Sequence, residues 1–414
     1  MTLPASSPRR WAVLIALMAV TLACEAEWLV HAAVARPAAA FYAGQFDPSS
    51  LFNIDFLSMS YMLVFLVVCL PASWILDRWG LGIGVGLGAA LTIVGSAGKA
   101  LWAGSFAAQL GFQLVLAAAQ PFLTNAATTL ARDWFPVKER ATASGLASLA
   151  QYLGFVVALI AAPALVQVDP TLPGYGDGIA KALMVFAALS FAAGLLSLVL
   201  VRRGPNRESA GGPSDFLGSL RRLLAQRDFR LTLLLFFLGL GIMNTVTALT
   251  DDIAASMGVK DSNGLLGVGL ILGGIVGAVI LPILSDFWGR RKAFLVLCMA
   301  LTVPALWALF LAPAGWYALG IAAMALLGFA LMSAGPIGFQ YAAEVTAPVP
   351  ESASQGVLLL AGQISGLALT AGMSSGGLRA AHLWLGAFAA TAVIMALLSL
   401  RLRESPAVSP RRRS

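Results

Sequence analysis

Long apolar stretches recur along this chain with only short polar breaks between them. Most of these stretches exceed the ~20 residues that a helix needs to cross a bilayer. Their approximate bounds are 11–33, 52–76, 81–103, 106–131, 141–166, 178–201, 229–256, 264–285, 293–312, 316–343, 354–378 and 380–401. The pattern predicts twelve membrane-spanning helices, the first of which is retained rather than cleaved as a signal peptide.

The composition excludes a soluble protein. Hydrophobic residues make up 59% of the chain and charged residues 11%, so polar groups are too few to cover a soluble domain. Cys24, Cys69 and Cys298 all fall inside apolar stretches, which indicates neither a disulfide framework nor a metal site. The sequence has no P-loop, nucleophile elbow or metal-spaced His/Cys set. We therefore expect no enzyme activity, no cofactor and no metal.

The basic residues predict the orientation of the chain in the membrane. A cytoplasmic N-terminus leaves only five of the 26 basic residues outside or near outer helix ends, namely Arg36, Lys99, Lys181, Lys260 and Arg379. The positive-inside rule then places both termini in the cytoplasm. The net charge of +7 reflects this topology rather than nucleic-acid binding. The Ala-, Gly- and Arg-rich composition favours a bacterial inner membrane, and we expect a monomer in the lipid bilayer.

The polar stretch from Arg202 to Arg230 is the one long linker in the sequence. It contains Gly/Pro-rich segments and a short amphipathic piece at 217–220. We predict a six-helix bundle at 1–201, a cytoplasmic linker at 202–228, and a second six-helix bundle at 229–414 that ends in a basic cytoplasmic tail. The predicted fold class is an all-α membrane protein with twelve transmembrane helices in two pseudo-symmetric bundles, the major facilitator architecture.

A charged motif recurs at the same place in both halves. Asp77-Arg78-Trp79-Gly80 returns as Asp286-Phe287-Trp288-Gly289, and each copy lies between two apolar stretches. A glycine lets the chain reverse in a tight turn, and an aspartate can cap a helix N-terminus or pair with an arginine. We predict a latch that ties two helices together on the cytoplasmic side in one conformation and releases them in another. The alternative is a turn that only fixes topology. The predicted gating residues are Asp77, Arg78, Gly80, Asp286, Gly289 and Arg290.

Substrate contacts are expected from polar and aromatic side chains near the middle of the membrane, where an unpaired polar group is expensive. In the first stretch Glu25, Glu27, Trp28 and His31 spread over an arc of about 160°, so most can face one cavity. Gln120 and Gln363 each lie about 17–21 Å from the membrane face at which their helices begin, near the centre. The other candidates are Phe122, Asn244, Phe339 and Tyr341.

Several segments resemble the feline leukaemia virus subgroup C receptor (FLVCR) family. They are NIDFLSMSYML at 53–63, PASWILD at 71–77, AQPF at 119–122, WFPVKE at 134–139, GFQYAAEVT at 338–346 and AGQISG at 361–366. The resemblance runs in order over nearly the whole chain. It implies transport of choline and ethanolamine or, by an older assignment, haem export. It also implies a pocket in which Trp28, Gln120 and Gln363 match the family's tryptophan and glutamines, while Ala248 replaces a tyrosine.

The chemistry of these residues suits an organic cation. A quaternary ammonium group is held by ring faces through cation–π attraction, worth about 0.5–2 kcal/mol per ring. Trp28 is the best such ring, with Phe122, Phe339 and Tyr341 as further walls. Gln120 and Gln363 come from opposite halves and could close on a substrate hydroxyl. The alternatives are lipid packing for Trp28 and interhelical hydrogen bonding for the two glutamines.

Acidic residues and a histidine raise the question of a coupling ion. Glu25 or Glu27 would add selectivity for a cation. Together with His31 they could also form a protonation site, because histidines and buried carboxyls can change charge near neutral pH. The alternatives are a neutralising Glu27–His31 pair four residues apart and facilitated or cation-driven transport. Asp251 and Asp252 could attract cations or form a solvated helix end.

Other functions remain open from the sequence alone. A drug or metabolite exporter of the same fold is the main alternative, because an apolar cavity is easily adapted to another solute. A haem exporter is disfavoured, since the chain has only two histidines and haem needs axial ligands. A channel is a further alternative of a different class. Saturable uptake would indicate a carrier, and linear, unsaturated flux would indicate a channel.

Overall fold

The computed structural model describes residues 9–47, 54, 56–169, 171–201, 216–259, 265–374 and 377–407. Twelve helical segments within these ranges are long and apolar enough to cross a membrane. They confirm the predicted number of spans and the all-α class. Most of the predicted linker, the basic residues after 407, and the side chains of Asp251 and Asp252 lie outside what is described.

The contacts between helices divide the chain into two compact units. Unit 1 comprises Met1–Trp134 and Ala147–Ser214, and unit 2 comprises Phe135–Leu146 and Asp215–Ser414. The short segment that begins the fifth span therefore belongs, by its contacts, to the second unit. The predicted division of the chain at the 202–228 linker stays a prediction.

Unit 1 is built from apolar helices whose backbone groups are satisfied within each helix, as a lipid environment requires. A 3₁₀ turn and a short helix occupy much of the polar region after the first span. The helices are α1 Arg9–Leu29, α2 Ala35–Phe41, α3 Phe56–Trp79, α4 Leu81–Leu101, α5 Phe106–Thr124, α6 Ala126–Trp134, α7 Arg140–Leu165 (from Ala147 onwards) and α8 Ile179–Leu200.

Unit 2 follows the same plan. The amphipathic piece predicted in the linker forms a short helix whose Leu223 is buried against Phe229 and Phe236. The helices are α9 Phe216–Ala225, α10 Arg227–Ala248, α11 Thr250–Ser256, α12 Leu265–Trp288, α13 Arg291–Leu311, α14 Tyr317–Thr346, α15 Glu351–Ser374 and α16 Gly377–Ser399.

The internal repeat is visible in the helix packing. In unit 1, α5 packs against α3 and α4, and α4 packs against α8. In unit 2, α14 packs against α12 and α13, and α13 packs against α16. In chain order, α3, α4, α5 and α8 of unit 1 correspond to α12, α13, α14 and α16 of unit 2. The two bundles therefore share one helix arrangement. The recurring charged motif occupies equivalent positions in the two bundles, between α3 and α4 and between α12 and α13.

Each copy of the motif makes the tight turn that the sequence predicts. Gly80 adopts φ 92° and Gly289 adopts φ 60°, a region that side-chain-bearing residues rarely enter. The turn at Gly80 joins α3 directly to α4. The turn at Gly289 brings the end of α12 next to Arg291, the first residue of α13.

Candidate substrate site and gating cluster

Glu25 and Gln120 meet inside unit 1. The side-chain nitrogen of Gln120 donates to both carboxylate oxygens of Glu25, at 2.9 and 3.0 Å. Glu25 is 1% exposed and Gln120 is 8% exposed. Among the described residues Glu25 forms no ion pair, so its carboxyl group is held by a neutral amide alone. The interhelical hydrogen bond expected as the alternative role of Gln120 is therefore present, and a carboxylate is its partner.

Glu27 has a different partner, which the sequence did not reveal. The ammonium group of Lys99 on α4 lies 3.1 Å from the Glu27 carboxylate and donates to the Glu27 main-chain oxygen at 2.9 Å. It also donates to the side-chain oxygen of Gln113 on α5 at 2.8 Å. All three side chains are fully buried. The charge of Glu27 is thus neutralised by protein.

Trp28 lies in an aromatic cluster next to these groups. Its ring stacks on Tyr61 of α3 with centroids 5.3 Å apart and meets the edge of Phe155 of α7 at 5.4 Å. Tyr152 continues the cluster beside Phe155 at 6.0 Å. Trp28 is half-buried. The role of this aromatic cluster as the wall that holds a quaternary ammonium group stays a prediction.

His31 does not pair with Glu27. The ring of His31 is 2% exposed, and neither ring nitrogen has a hydrogen-bond partner among the described residues. Its nearest described aromatic neighbour is Tyr42, with centroids 6.1 Å apart. The expected Glu27–His31 pair is wrong, because Lys99 takes the Glu27 carboxylate instead.

Gln363, the predicted glutamine of unit 2, differs in its hydrogen bonding from Gln120 of unit 1, which is bonded to Glu25. The side-chain oxygen of Gln363 on α15 is buried and lacks a hydrogen-bond partner within the described part of the chain. Asn244 on α10 packs against the same helix, with its amide nitrogen 3.5 Å from the Gly362 carbonyl oxygen. The role of Gln363 in substrate binding stays a prediction.

The remaining predicted pocket residues lie in well-packed surroundings. Phe122 is 7% exposed on α5. Phe339 packs on Phe236 with ring centroids 4.8 Å apart. Tyr341 is fully buried, and its hydroxyl donates to the Arg403 carbonyl at 2.9 Å. These contacts hold the three rings in place, and their role as pocket walls stays a prediction.

The second copy of the repeated motif builds a buried ionic cluster in unit 2. Asp286 forms a buried ion pair with Arg291, whose guanidinium also contacts Glu344 at 3.3 Å. The Asp286 carboxylate accepts hydrogen bonds from the main-chain nitrogens of Ala141 and Thr142 and from the Thr142 hydroxyl, the last at 2.7 Å. It thereby caps the first turn of α7, where helix dipoles favour an anion.

The segment after the last span docks on the same cluster. Glu404 accepts from the main-chain nitrogen of Lys292 at 3.0 Å, at the start of α13. The Ser405 hydroxyl donates to the second carboxylate oxygen of Glu344. Glu404 thus ties this segment to the start of α13 and Ser405 ties it to the ionic cluster, and the sequence predicts neither contact.

The first copy of the motif uses an aromatic contact. The Arg78 guanidinium lies over the Trp74 ring, 5.6 Å from its centroid, and Trp79 packs beside Trp74 at 5.7 Å. Arg290, the gating residue predicted in the second copy, is exposed. Its neighbour Arg291 makes the ion pairs.

The sequence pattern does not indicate three residues of these clusters. Lys99 falls where the basic-residue pattern predicts an outer helix end, and its burial follows only from the approach of α1 and α5. Gln113 has no distinguishing feature, although a glutamine in an apolar helix is itself a weak signal. Arg291 directly follows Arg290, and the motif does not show which of the two arginines is buried.

Within the described residues, twelve apolar helices form two repeated bundles with charged pairs buried inside each bundle, which is the architecture of a multi-pass membrane transporter. The sequence profile of the Major Facilitator Superfamily matches residues 30–260, more than half of the chain. The chain belongs to that superfamily.

Several curated proteins are similar to this chain along most of its length. An uncharacterised MFS-type transporter of Caenorhabditis elegans is 26% identical over 87% of this chain and 63% of its own length. Human FLVCR2, named a choline/ethanolamine transporter, is 26% identical over 88% and 71%. Cat FLVCR1, with the same description, is 27% identical over 88% and 67%. The chain thus spans less than two thirds of the nematode relative.

Solved structures share the fold at lower identity. The transporter FucP in its outward conformation aligns with a TM-score of 0.74 and 15% identity, over 93% of this chain and 98% of its own. The proton:xylose symporter XylE aligns with a TM-score of 0.74 and 13% identity, over 96% of each chain. Identities at this level establish the architecture alone.

The Arg291 cluster makes a prediction about stability. Arg291→Met leaves Asp286 and Glu344 buried without their cation, so we expect a loss of about 3–5 kcal/mol in unfolding free energy. Denaturant unfolding of the purified protein in detergent measures it. Arg290→Met is the matched control, because its exposed side chain should change stability by less than about 0.5 kcal/mol. Equal losses in the two variants would contradict the assignment.

The Lys99–Glu27 pair predicts non-additive stability. Lys99→Met leaves the Glu27 carboxylate buried and unpaired, which is strongly destabilising. The double variant Glu27→Gln/Lys99→Met removes both charges and should recover much of the loss. Thermal unfolding of the two single variants and the double variant completes the cycle. Losses that simply add in the double variant would show that the two side chains do not interact.

Proposed function

We propose that this protein is a secondary transporter that moves a small organic amine, choline- or ethanolamine-like, by alternating access. The observation that carries the proposal is the half-buried Trp28 side chain, which lies on the same helix as Glu25 of the buried Glu25–Gln120 pair in unit 1. An aromatic face and a carboxyl group are the two features that recognise an ammonium group. The names of the FLVCR relatives support the same substrate class.

Each group in the site has a distinct task in this proposal. Trp28, braced by Tyr61 and Phe155, attracts the cationic head through its ring face. Glu25 contributes a charge that no described basic residue neutralises. Gln363, in unit 2, has an unpartnered side-chain oxygen, which is the kind of acceptor that a substrate hydroxyl needs. Choline and ethanolamine both carry a hydroxyl, so a glutamine acceptor suits both.

The repeated motif supports the alternating-access part of the proposal. Asp286 caps the first turn of α7 while paired with Arg291. Such a charge-to-helix-end contact is strong when made and lost when the groups separate, as a gate requires. The basic-residue pattern places this gate and both termini on the cytoplasmic side, and the Ala-, Gly- and Arg-rich composition favours a bacterial inner membrane. Protons are the coupling ion that the buried carboxyl groups favour.

A second function has its own observation. Unit 2 contains an apolar cavity lined in part by Leu235, Phe236, Met299 and Leu331. A hydrophobic drug or metabolite would fit such walls, as in an exporter of the same fold. Haem has weaker support, since His31 is buried deep in unit 1 and His382 packs against Phe310, with centroids 4.9 Å apart.

Ligand-induced stabilisation tests the proposed substrate class. We expect choline and ethanolamine to raise the melting temperature of the purified protein in a dose-dependent way, because a ligand that binds only the folded state stabilises it. Trp28→Ala should abolish the shift, and Trp28→Phe should retain part of it. Trp316→Ala is the control, since that tryptophan is 60% exposed.

The same screen separates the alternatives. Stabilisation by haem alone would overturn the amine proposal. Stabilisation by hydrophobic drugs without any amine response, lost in Phe236→Ala and kept in Trp28→Ala, would favour the exporter. Saturable counterflow of radiolabelled choline in proteoliposomes would establish a carrier, whereas linear, unsaturated flux would indicate a channel.

A further inference from the structure

We propose that Glu25 is a shared site for a proton and the substrate cation, so that each binding event exchanges one for the other. This inference rests on the proposed amine transport and adds to it a coupling residue and a stoichiometry. When the site is empty, the Glu25 carboxyl group holds a proton. When the ammonium head enters, that proton leaves and the carboxylate balances the charge of the substrate.

The two buried carboxyl groups of α1 differ in how their charge is compensated. Glu27 is neutralised by the Lys99 ammonium group at 3.1 Å, with both side chains fully buried. Glu25 has the same depth of burial, but its described partner is the neutral amide of Gln120. An isolated carboxylate is too costly to leave uncompensated in such surroundings. Glu25 therefore needs a mobile positive charge, and the proton and the substrate are the two candidates.

The surroundings of Glu25 add no fixed cation that would remove this need. α1 packs against α3, α4, α5 and α8 in unit 1, and the Tyr152 side chain of α7 interacts electrostatically with Glu25. Lys99 is the basic residue of this neighbourhood, and Glu27 already occupies it. The described titratable side chains that interact electrostatically with Glu25 are Cys24, Tyr61 and Tyr152, and none of them is a cation. Glu27 and Lys99 neutralise each other, and His31 lies beyond the end of α1.

Gln120 is suited to both states of the carboxyl group. Its amide nitrogen donates to an ionised carboxylate, as the structure shows. After a rotation of the amide by half a turn, its oxygen would accept a hydrogen bond from a protonated carboxyl. A lysine or arginine in this place would hold Glu25 ionised permanently. A glutamine leaves the proton free to exchange.

The position of Glu25 is fixed by the close approach of α7. A methyl group added to Gly154 would lie 2.8 Å from the Glu25 β-carbon and 2.5 Å from the Leu22 carbonyl oxygen. The two helices therefore touch at this point, which fixes the α1 backbone at Glu25 against α7. From this backbone position the Glu25 carboxyl group reaches Gln120 on α5.

The exchange balances in charge and in atoms. Glu25 loses one proton to solvent, breaking its O–H bond, and gains an ionic contact with one monovalent cation. No covalent bond to the substrate forms. Transport of one amine in one direction then accompanies one proton in the other, which makes the cycle electroneutral.

The test is the pH dependence of choline binding to the full-length protein in detergent. Choline itself does not titrate, so any pH dependence comes from the protein. Because protons compete with choline for Glu25, the Kd for choline should fall as the pH rises. The fall should be up to about tenfold for each pH unit over the range in which the carboxyl is protonated. Glu25→Gln should bind more weakly with a Kd independent of pH. Asp169→Asn, which removes an exposed carboxylate between α7 and α8, should keep the pH slope of the wild type.

Infrared difference spectroscopy supplies an independent readout. Saturating choline should remove the C=O stretch of one protonated carboxyl in the wild type and leave Glu25→Gln without this change. Choline binding that is independent of pH, or that leaves the carboxyl band in place, would overturn the exchange while the proposed transport stands. Failure of both choline and ethanolamine to bind at any pH would instead overturn the proposed function, and the exchange with it.

Discussion

The ammonium group of Lys99 joins the helices of unit 1 where the candidate site is built. It bonds to the side chain and main chain of Glu27 on α1 and to Gln113 on α5. Gln113 in turn donates to the main-chain oxygens of Trp28 on α1 and Leu57 on α3, at 3.3 and 3.0 Å. A buried charge in a membrane has to be satisfied by protein. That requirement fixes four helices against one another and sets the backbone position from which Trp28 extends.

The two halves of the chain use the repeated motif differently. In unit 2 the aspartate is buried between an arginine and the first turn of α7. In unit 1 the arginine of the motif lies over a tryptophan ring. The difference follows from Phe287, which stands where the first copy has Arg78. The second copy takes its cation from Arg291, one turn further on, and Arg291 reaches Glu344 as well. Both copies of the motif therefore make the same glycine turn. In the second copy the cation comes from Arg291, outside the four-residue motif.

Much of the fold was predictable because lipid solvation leaves a chain few choices. The spans follow from runs of apolar residues, and the tight turns follow from Gly80 and Gly289. The candidate site was predicted in part. Trp28, Glu25 and Gln120 stood out as polar or aromatic residues in apolar helices, and the structure brings Glu25 and Gln120 together. Lys99, Gln113 and Tyr61 could not be assigned, since their partners lie 14 to 85 residues away.

The sequence by itself determined that this protein spans a membrane with twelve helices in two related sets, because hydrophobic length and repetition are local properties. The pairing of the buried charges was decided only by the tertiary structure. Glu25, Glu27 and His31 look equivalent along one apolar stretch of the sequence. The approach of α4 gives Lys99 to Glu27, and the approach of α5 gives only an amide to Glu25. His31 receives no described hydrogen-bond partner. Which carboxyl is neutralised and which stays open to a proton or a substrate depends on distances between helices, and these arise only when the bundle forms.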